Sequence, residues 1–154
     1  MLKISFRELD HTSLGGSMGQ SLTDLWNQFN GEYIKNDTFA NRLCRSSATI
    51  IVAINSSQTI SGFICFSRLS SPTLSTECIE IWALFVSPTV RMLGIGTSLM
   101  RQVEEHAIAH SNVRLFVSAT KAQIPFYQKC GYDLSGAVCM TRNCMARKDS
   151  LMKI

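Results

Sequence analysis

The sequence predicts an α/β domain with a mixed sheet, supported by a hairpin signal, an amphipathic helix and the chain length. Residues 49–54 are apolar and β-branched, Asn55 to Gln58 are turn formers, and residues 59–68 are again strand-like, which predicts a β-hairpin. From Gly96 or Thr97 to about His110, apolar side chains lie on one helical face and charged ones on the other. The 154 residues contain no repeat or linker, so we expect one domain over residues 1–154.

The other elements follow from shorter patterns. Strands are predicted over residues 3–9, 77–87 and 113–117, and helices over 21–29, 37–45 and 122–129. Glycines at 15, 16 and 19 are expected to break the chain before the first helix. Pro125 is acceptable only in the first turn of the last helix, so we expect that helix to begin late and to end at Gly131. Residues 132–148 predict two weak strands, with a turn at Ser135-Gly136 or at Asn143.

Charge and composition exclude several classes of protein. Fifteen basic and eleven acidic residues give a net charge of +4, and the basic residues are scattered rather than clustered. Scattered charge does not indicate a nucleic-acid partner, but it is compatible with a small polyanionic ligand. The N-terminus carries charges where a signal peptide needs an apolar core, and no apolar run reaches the length of a membrane span. We therefore expect a cytoplasmic protein without a membrane partner.

The six cysteines and three histidines do not form a metal-binding pattern. No Cys-x-x-Cys pair occurs, and His106 and His110 share a helical face without the glutamate of a metalloprotease helix. We expect no metal site, and we expect most cysteines to be reduced thiols that pack as small buried hydrophobes.

Residues 86–97 predict an anion-binding loop. An apolar strand leads into a short loop that contains Arg91, Gly94 and Gly96, and an amphipathic helix begins directly behind it. The first amides of a helix have no partner within it and attract anions, glycine lets a phosphate approach the backbone, and arginine adds a forked charged donor. The alternative is that both glycines only form a tight turn between strand and helix.

Two motifs carry a resemblance to a known family. Arg91-Met92-Leu93-Gly94-Ile95-Gly96 and Phe126-Tyr127-Gln128-Lys129-Cys130-Gly131-Tyr132 resemble, in this order, two signatures of the GCN5-related N-acetyltransferase (GNAT) superfamily. The resemblance covers nearly the whole chain. It implies the acyl-CoA N-acyltransferase fold, a mixed, mostly antiparallel central sheet flanked by helices. It also implies transfer of an acetyl group from acetyl-CoA, as co-substrate, to an amine.

Two nucleotide-binding alternatives fit the loop less well. In a dinucleotide fingerprint the third glycine would fall at Leu99, and the βαβ repeats of that fold are missing from the pattern. A nucleoside-triphosphate loop needs Gly-Lys-Ser or Gly-Lys-Thr, neither of which occurs in the sequence.

The resemblance implies a set of cofactor-binding residues. The backbone of the fourth strand would bind pantetheine through Leu84, Phe85 and Val86. The pyrophosphate would lie on the loop residues, which are Arg91, Met92, Leu93, Gly94, Ile95, Gly96 and Thr97. Thr120 stands where many members carry an asparagine that contacts the pantetheine region, and its hydroxyl offers one donor rather than an amide group.

Tyr127 and Glu80 are the candidate catalytic residues. The resemblance implies that Tyr127 protonates the coenzyme A thiolate, whereas the alternative is a core aromatic residue. Glu80 lies at the position of the general base in the histone-acetyltransferase branch, and burial beside Ile79 and Ile81 would raise its pKa. The alternative is a solvated or salt-bridged glutamate, and Glu77 is a weaker substitute. A backbone N–H near the end of the fourth strand is expected to stabilise the oxyanion.

The acceptor is not identified by these motifs. A small-molecule amine and a protein or peptide amine both remain open, as do a monomer and a homodimer. The acceptor surfaces implied are Trp26 to Asp37 and Ser135 to Met145. A cationic amine would be attracted by Glu32 and Asp37, and an apolar one flanked by Trp26, Phe29 and Tyr33. The alternative for each of these residues is an ordinary surface or packing role. Two alternatives to an enzyme are a catalytically silent acetyl-CoA sensor and an interaction module.

Overall fold

The computed structural model describes residues 3–10, 14, 16–30, 48–69, 77–109, 113–134 and 139–144. In chain order the elements are β1 (Ile4–Leu9), α1 (Ser17–Asn30), β2 (Thr49–Asn55), β3 (Ile60–Leu69), β4 (Glu77–Val86), α2 (Ile95–Ile108), β5 (Val113–Ser118), α3 (Ile124–Lys129), β6 (Asp133–Leu134) and β7 (Cys139–Cys144). A short 3-10 helix, Pro88–Val90, follows β4. The helix predicted over 37–45 lies outside the described residues.

The chain groups into two compact units. One comprises Met1–Ser67 and Ile81–Arg101, and the other comprises Arg68–Glu80 and Gln102–Ile154. The boundaries fall inside β3, β4 and α2. The expectation of one domain over residues 1–154 stays a prediction.

The first unit contains strands in the order β1-β2-β3-β4. Antiparallel pairing joins β1 to β2, from Ile4 opposite Asn55 to Leu9 opposite Ile50. The predicted hairpin is confirmed, because β2 and β3 are antiparallel and joined by a tight turn. The Asn55 side-chain oxygen accepts hydrogen bonds from the amides of Ser57 and Thr59, both at 3.0 Å. This is the local bonding that makes asparagine a turn former.

Helix α1 covers the core of the first unit. Its residues Leu22, Leu25 and Trp26 recur at helical spacing and are at most 8% exposed. They belong to one cluster with residues of β2, β3 and β4, among them Phe63 and Phe85. Burying these apolar side chains supplies the main driving force for the packing.

The start of α1 differs from the sequence prediction. The helix begins at Ser17, one turn before the predicted Ser21, and the Gly16 carbonyl accepts the amide of Gln20 at 3.1 Å. The expected break at Gly19 is wrong. Gly19 lies inside the helix with its Cα against the backbone of Leu14, where a Cβ would collide.

The second unit contains β5, β7 and β6 in that order. Strand β7 pairs antiparallel with β5, from Val113 opposite Cys144 to Ser118 opposite Cys139, and with β6 on its other side. Asn143 lies inside β7, so a turn at this residue is wrong. The late start of the last helix is confirmed, since α3 begins at Ile124 and Pro125 lies in its first turn.

These ladders confirm the predicted fold class, a mixed, mostly antiparallel sheet with helices. Across the described part of the chain, none of the helices has the length and apolar character that crossing a membrane requires.

Three cysteines have described side chains, and all three are free thiols. Cys65 and Cys130 are buried, which confirms for these two the predicted role as small hydrophobes, whereas Cys78 is half-buried. Burial raises the pKa of the Cys65 thiol far above its ordinary value, because the charged form loses its hydration. Cys65 therefore stays protonated and packs as an apolar side chain.

Replacing Gly62 should destabilise the first unit. A Cβ at this position in β3 would lie 2.7 Å from the Phe85 carbonyl oxygen of β4, so the strands would have to move apart. We expect Gly62→Ala to lower the free energy of unfolding by about 1–3 kcal/mol, the usual cost of overpacking. Urea denaturation measures this. Gly16→Ser is the control, because a Cβ there meets nothing within 4 Å, and equal losses in both variants would contradict the prediction.

Candidate active site

Arg91 is held against the end of β4 by two contacts. Its Nε donates a hydrogen bond to the Val86 carbonyl at 3.1 Å. Its guanidinium carbon lies 5.7 Å from the centre of the Phe85 ring, within the range of a cation–π interaction. The side chain is exposed. Because arginine has five N–H donors, the terminal nitrogens keep four of them for a ligand.

The loop after Arg91 turns the chain into α2 through two left-handed residues. Met92 has a φ of 67° and Gly94 a φ of 76°. The Gly94 carbonyl accepts the amide of Ser98 at 2.9 Å, which makes Gly94 the N-cap of α2. A glycine N-cap has no side chain to bond the amides that follow it.

The amides of the loop are available for binding. Within the described residues, the backbone N–H groups from Gly94 to Thr97 have no acceptor, whereas Arg91 and Met92 lie in a hydrogen-bonded turn. A Cβ at Gly94 would meet nothing within 4 Å, so the space in front of this residue is open. These unpaired donors, the positive end of the helix dipole and the Arg91 guanidinium together suit a phosphate or pyrophosphate group.

One carbonyl group at the end of β4 is already engaged, and a second lies against β3. The Phe85 carbonyl oxygen lies against Gly62 of β3. Just after β4, the Ser87 amide donates a 2.9 Å hydrogen bond to the Ser61 carbonyl of β3. The Val86 carbonyl accepts Arg91 Nε. Of the three residues predicted to bind pantetheine, Val86 therefore uses its carbonyl group within the protein. No pattern in the sequence predicts this, because it depends on how the side chain of Arg91 folds back.

Tyr127 lies in α3 and is 4% exposed. Its ring packs between Phe126, at 5.1 Å between centroids, and Tyr132, at 6.0 Å. The pKa of Tyr127 is raised to about 12, first because burial removes the hydration of the charged form and second because of the negative charge of an ionised Cys130 thiol. The phenol is therefore fully protonated at neutral pH, as a proton donor must be.

Thr120 begins the turn that leads into α3. Its carbonyl accepts the amides of Gln123, at 2.9 Å, and Ile124, at 3.2 Å. In return the Gln123 side-chain oxygen accepts the Thr120 amide at 2.9 Å. This reciprocal pair closes the turn before α3, whose own N-cap, Gln123, makes no side-chain bond to the helix amides. The Thr120 side chain itself is exposed.

Glu80 and Glu77 lie on β4 in different surroundings. Glu80 is half-buried, while its neighbours Ile79 and Ile81 are 0% and 1% exposed. Successive side chains of a strand point to opposite faces, so the two isoleucines do not enclose the carboxyl group. Glu77 begins the strand and forms a 3.2 Å ion pair with Arg68. Glu80 stays a candidate base, but its carboxyl group is only half-buried and is not enclosed by Ile79 and Ile81 as the sequence analysis expected.

The acceptor surfaces predicted from sequence are only partly described. Trp26 is a core residue, 8% exposed and 5.9 Å from the Phe63 ring, rather than a surface that flanks an amine. Residues 31–47, the side chain of Phe29 and residues 135–138 and 145 lie outside what the structure describes. Sequence reasoning missed Trp82, a half-buried residue of β4 whose indole N–H donates to the Ser67 hydroxyl at 3.1 Å.

The predicted site residues fall into both units. The end of β4 and the loop from Arg91 to Thr97 come together in the first unit, whereas Glu80, Thr120 and Tyr127 belong to the second. Among the described residues, no group of three or more histidine, cysteine or acidic side chains lies close enough together to hold a metal ion.

The strand ladders and the open N-terminus of α2 define an acyl-CoA N-acyltransferase fold. A family model described as "Acetyltransferase (GNAT) family" matches residues 18–132. Since the match extends over more than half of the chain, the protein belongs to the GNAT family of acetyltransferases. No curated protein sequence matches the chain significantly.

Solved structures of acetyltransferases share the fold. An aminoglycoside 6'-N-acetyltransferase complexed with coenzyme A has a TM-score of 0.75 at 18% identity, over 94% of this chain and 99% of that one. A phosphinothricin acetyltransferase from Sinorhizobium meliloti in complex with acetyl-CoA has a TM-score of 0.73 at 16% identity, covering 92% and 89%. A Trypanosoma brucei acetyltransferase has a TM-score of 0.72 at 17% identity, covering 87% and 95%. At these identities the likeness shows the fold alone.

Gly94→Val should weaken binding of acetyl-CoA without unfolding the protein. A β-branched side chain disfavours the left-handed conformation and fills the open space in front of the amides. We expect affinity to fall about tenfold or more, because one hydrogen bond to a charged group is worth about 1.5–3 kcal/mol. Isothermal titration calorimetry measures affinity, and thermal melting measures stability.

Gln58→Val is the matched control for this variant. Gln58 lies in the β2–β3 turn with a φ of 60°, so valine meets the same backbone strain away from the loop. We expect a similar drop in melting temperature with unchanged affinity for acetyl-CoA. An unchanged affinity in Gly94→Val would refute the assignment of the loop.

Proposed function

We propose that the protein transfers the acetyl group of acetyl-CoA to a primary amine by direct attack in a ternary complex. The observation that carries this proposal is the run of backbone amides from Gly94 to Thr97 that have no acceptor within the described residues, beside Arg91, whose side chain is held by the Val86 carbonyl. Membership of an acetyltransferase family supports the reaction class.

The loop is the part of the chain that would bind the pyrophosphate of the co-substrate. Amides from Gly94 to Thr97 donate to its oxygens, and the terminal nitrogens of Arg91 add charge-assisted bonds. The remaining peptide groups of β4, including those of Leu84, would pair with the pantetheine arm. The Thr120 hydroxyl is exposed and offers this arm one further hydrogen bond.

The chemistry requires three things of the protein. An amine with a pKa of about 10.4 is mostly charged at neutral pH, so a base must remove its proton before nitrogen attacks the thioester carbonyl. Glu80, directly or through water, is the candidate for this role. An N–H group near the end of β4 stabilises the oxyanion that forms, and as the carbon–sulfur bond breaks, Tyr127 donates its phenolic proton to the leaving thiolate. Solvent then returns a proton to Tyr127.

The acceptor is proposed to be a small-molecule amine. Support comes from neighbours whose names state that they act on aminoglycosides or phosphinothricin, with the same fold. A protein or peptide amine is the second class to test, because the surfaces that select the acceptor are largely outside the described residues.

A screen of amines tests the proposed function directly. The protein is incubated with acetyl-CoA and a panel of polyamines, aminoglycosides, amino acids and lysine peptides, while free thiol release is recorded and the products are identified by mass spectrometry. Thiol release with an acetylated product supports the proposal. Binding of acetyl-CoA without release across the panel would instead indicate a silent sensor, and no binding would indicate an interaction module.

Tyr127→Phe should lower kcat while binding of acetyl-CoA is retained. The substitution removes only the hydroxyl and keeps the ring in its pocket, so the packing of α3 is preserved. We expect a decrease in kcat of about 10²–10⁴-fold, the usual contribution of a general acid. Steady-state kinetics and a titration with acetyl-CoA measure the two effects. Undiminished turnover would remove Tyr127 from the mechanism.

The pH dependence should reflect the acceptor rather than Tyr127. Because the pKa of Tyr127 is raised to about 12, the phenol keeps its proton through the whole alkaline range used in assays. We expect kcat to show no alkaline loss up to about pH 10, the pKa of an ordinary tyrosine, and to rise as the amine loses its proton. Tyr127→Phe serves as the control. A decline between pH 8 and 10 in the parent protein alone would contradict the prediction.

A further inference from the structure

We propose that Gly131 and Tyr132 are positioning residues, which fix the orientation of the Tyr127 phenol through the turn that ends α3. The proposal rests on the proposed function of Tyr127 and names the residues on which that function depends.

The turn at the end of α3 is a Schellman motif centred on Tyr127. The Tyr132 amide donates to the Tyr127 carbonyl at 3.0 Å, and the Gly131 amide donates to the Gln128 carbonyl at 2.9 Å. Gly131 has a φ of 84°, the left-handed conformation that this motif requires after a helix. The carbonyl of Tyr127 is therefore one of the two anchors of the turn.

A side-chain contact accompanies the backbone bonds. The rings of Tyr127 and Tyr132 lie 6.0 Å apart in an edge-to-face arrangement, and Tyr132 is 1% exposed. An apolar contact between these two positions is the usual partner of a Schellman motif. Tyr132 thus contacts Tyr127 through both its amide and its ring. The Phe126 ring lies beside the Tyr127 ring as well, with 5.1 Å between the two ring centroids.

The length of α3 makes the turn decisive. The helix has six residues, from Ile124 to Lys129, and helices this short are not stable without fixed ends. The Thr120 carbonyl accepts the Gln123 and Ile124 amides at its beginning, and the turn at Gly131 closes its end. Tyr127 lies about one helical turn before Gly131. A substitution that removes the left-handed conformation of Gly131 should therefore displace the Tyr127 phenol.

Proton donation depends strongly on this orientation. A general acid must approach the leaving atom within hydrogen-bond distance, and misplacement by about 1 Å can cost 10²-fold in rate. Misorientation should therefore lower kcat and leave binding of acetyl-CoA intact, since the loop from Arg91 to Thr97 is unchanged.

A double-mutant cycle tests the proposal. Gly131→Ala and Gly131→Asn are each made in the parent protein and in Tyr127→Phe. Alanine disfavours a positive φ, whereas asparagine tolerates it. In the parent we expect Gly131→Ala to lower kcat about 10- to 100-fold, with KM for acetyl-CoA changed less than about twofold, and Gly131→Asn to restore most of the rate. In Tyr127→Phe we expect Gly131→Ala to cause no further loss.

A control separates positioning from general loss of stability. Val113→Ala opens a small cavity in β5, at a residue that is 1% exposed. It should lower the melting temperature while kcat stays unchanged. If Gly131→Ala does not fold, the same cycle is run with Tyr132→Leu, which removes the ring, and Tyr132→Phe, which retains it and should keep the rate.

The outcomes distinguish the two proposals. If Tyr127→Phe turns over as fast as the parent, the role of Tyr127 in the proposed function fails. If Tyr127→Phe is slow but Gly131→Ala lowers its kcat by the same factor as in the parent, only the positioning proposal is overturned. A parallel rise of KM for acetyl-CoA, or no rescue by asparagine, also overturns it.

Discussion

The N-terminus of α2 exposes backbone amides for which the described part of the chain supplies no acceptor, and the rest of the loop follows from this constraint. A serine or aspartate at the N-cap would satisfy one amide with its own side chain and would occupy the space in front of the others. Gly94 does neither. It has a left-handed backbone, and the space where its Cβ would lie is open. The polar groups are thus left to water or to an anion. A phosphorylated ligand replaces that water with stronger, charge-assisted bonds.

At the start of α3, by contrast, the backbone amides have acceptors within the chain. There the Gln123 side chain accepts the Thr120 amide, and the Thr120 carbonyl accepts two amides of the following turn. The short helix is closed at both ends, and its tyrosine is buried and neutral. The amides at the start of α2 are therefore open for binding, whereas those at the start of α3 are not. The difference lies in whether a nearby backbone carbonyl, here that of Thr120, accepts them.

The sequence predicted the features that depend on local chemistry. Turn formers after β2, the proline in α3 and the glycine after α3 each restrict the backbone in a way that needs no distant contact, and the structure agrees with all three. A prediction that failed depended on a tertiary contact. Gly19 was expected to break the chain before the first helix, but it lies inside α1 against the backbone of Leu14. For Trp26 the sequence left open whether it flanks an acceptor or packs, and it packs into the core.

In the candidate site, too, features set by neighbouring residues were predictable and features set by tertiary contacts were not. The anion-binding loop was predictable because its glycines and arginine are adjacent in sequence. The engagement of the Val86 carbonyl by Arg91 was not, because it depends on a side-chain conformation. The half-buried position of Glu80 was not, because burial on a strand depends on what covers each face. The bond from the Thr120 amide to the Gln123 side chain depends on a side-chain conformation in the same way.

The tether of Arg91 also bears on how quickly an anion is captured. A free arginine side chain samples many rotamers, and ordering it on association costs about 0.5–1.5 kcal/mol. Here the Val86 carbonyl and the Phe85 ring hold the side chain beforehand, so that entropy is lost on folding rather than at the encounter. The guanidinium then acts as a fixed positive charge at the mouth of the loop, and the association rate should depend on diffusion and salt rather than on a conformational search.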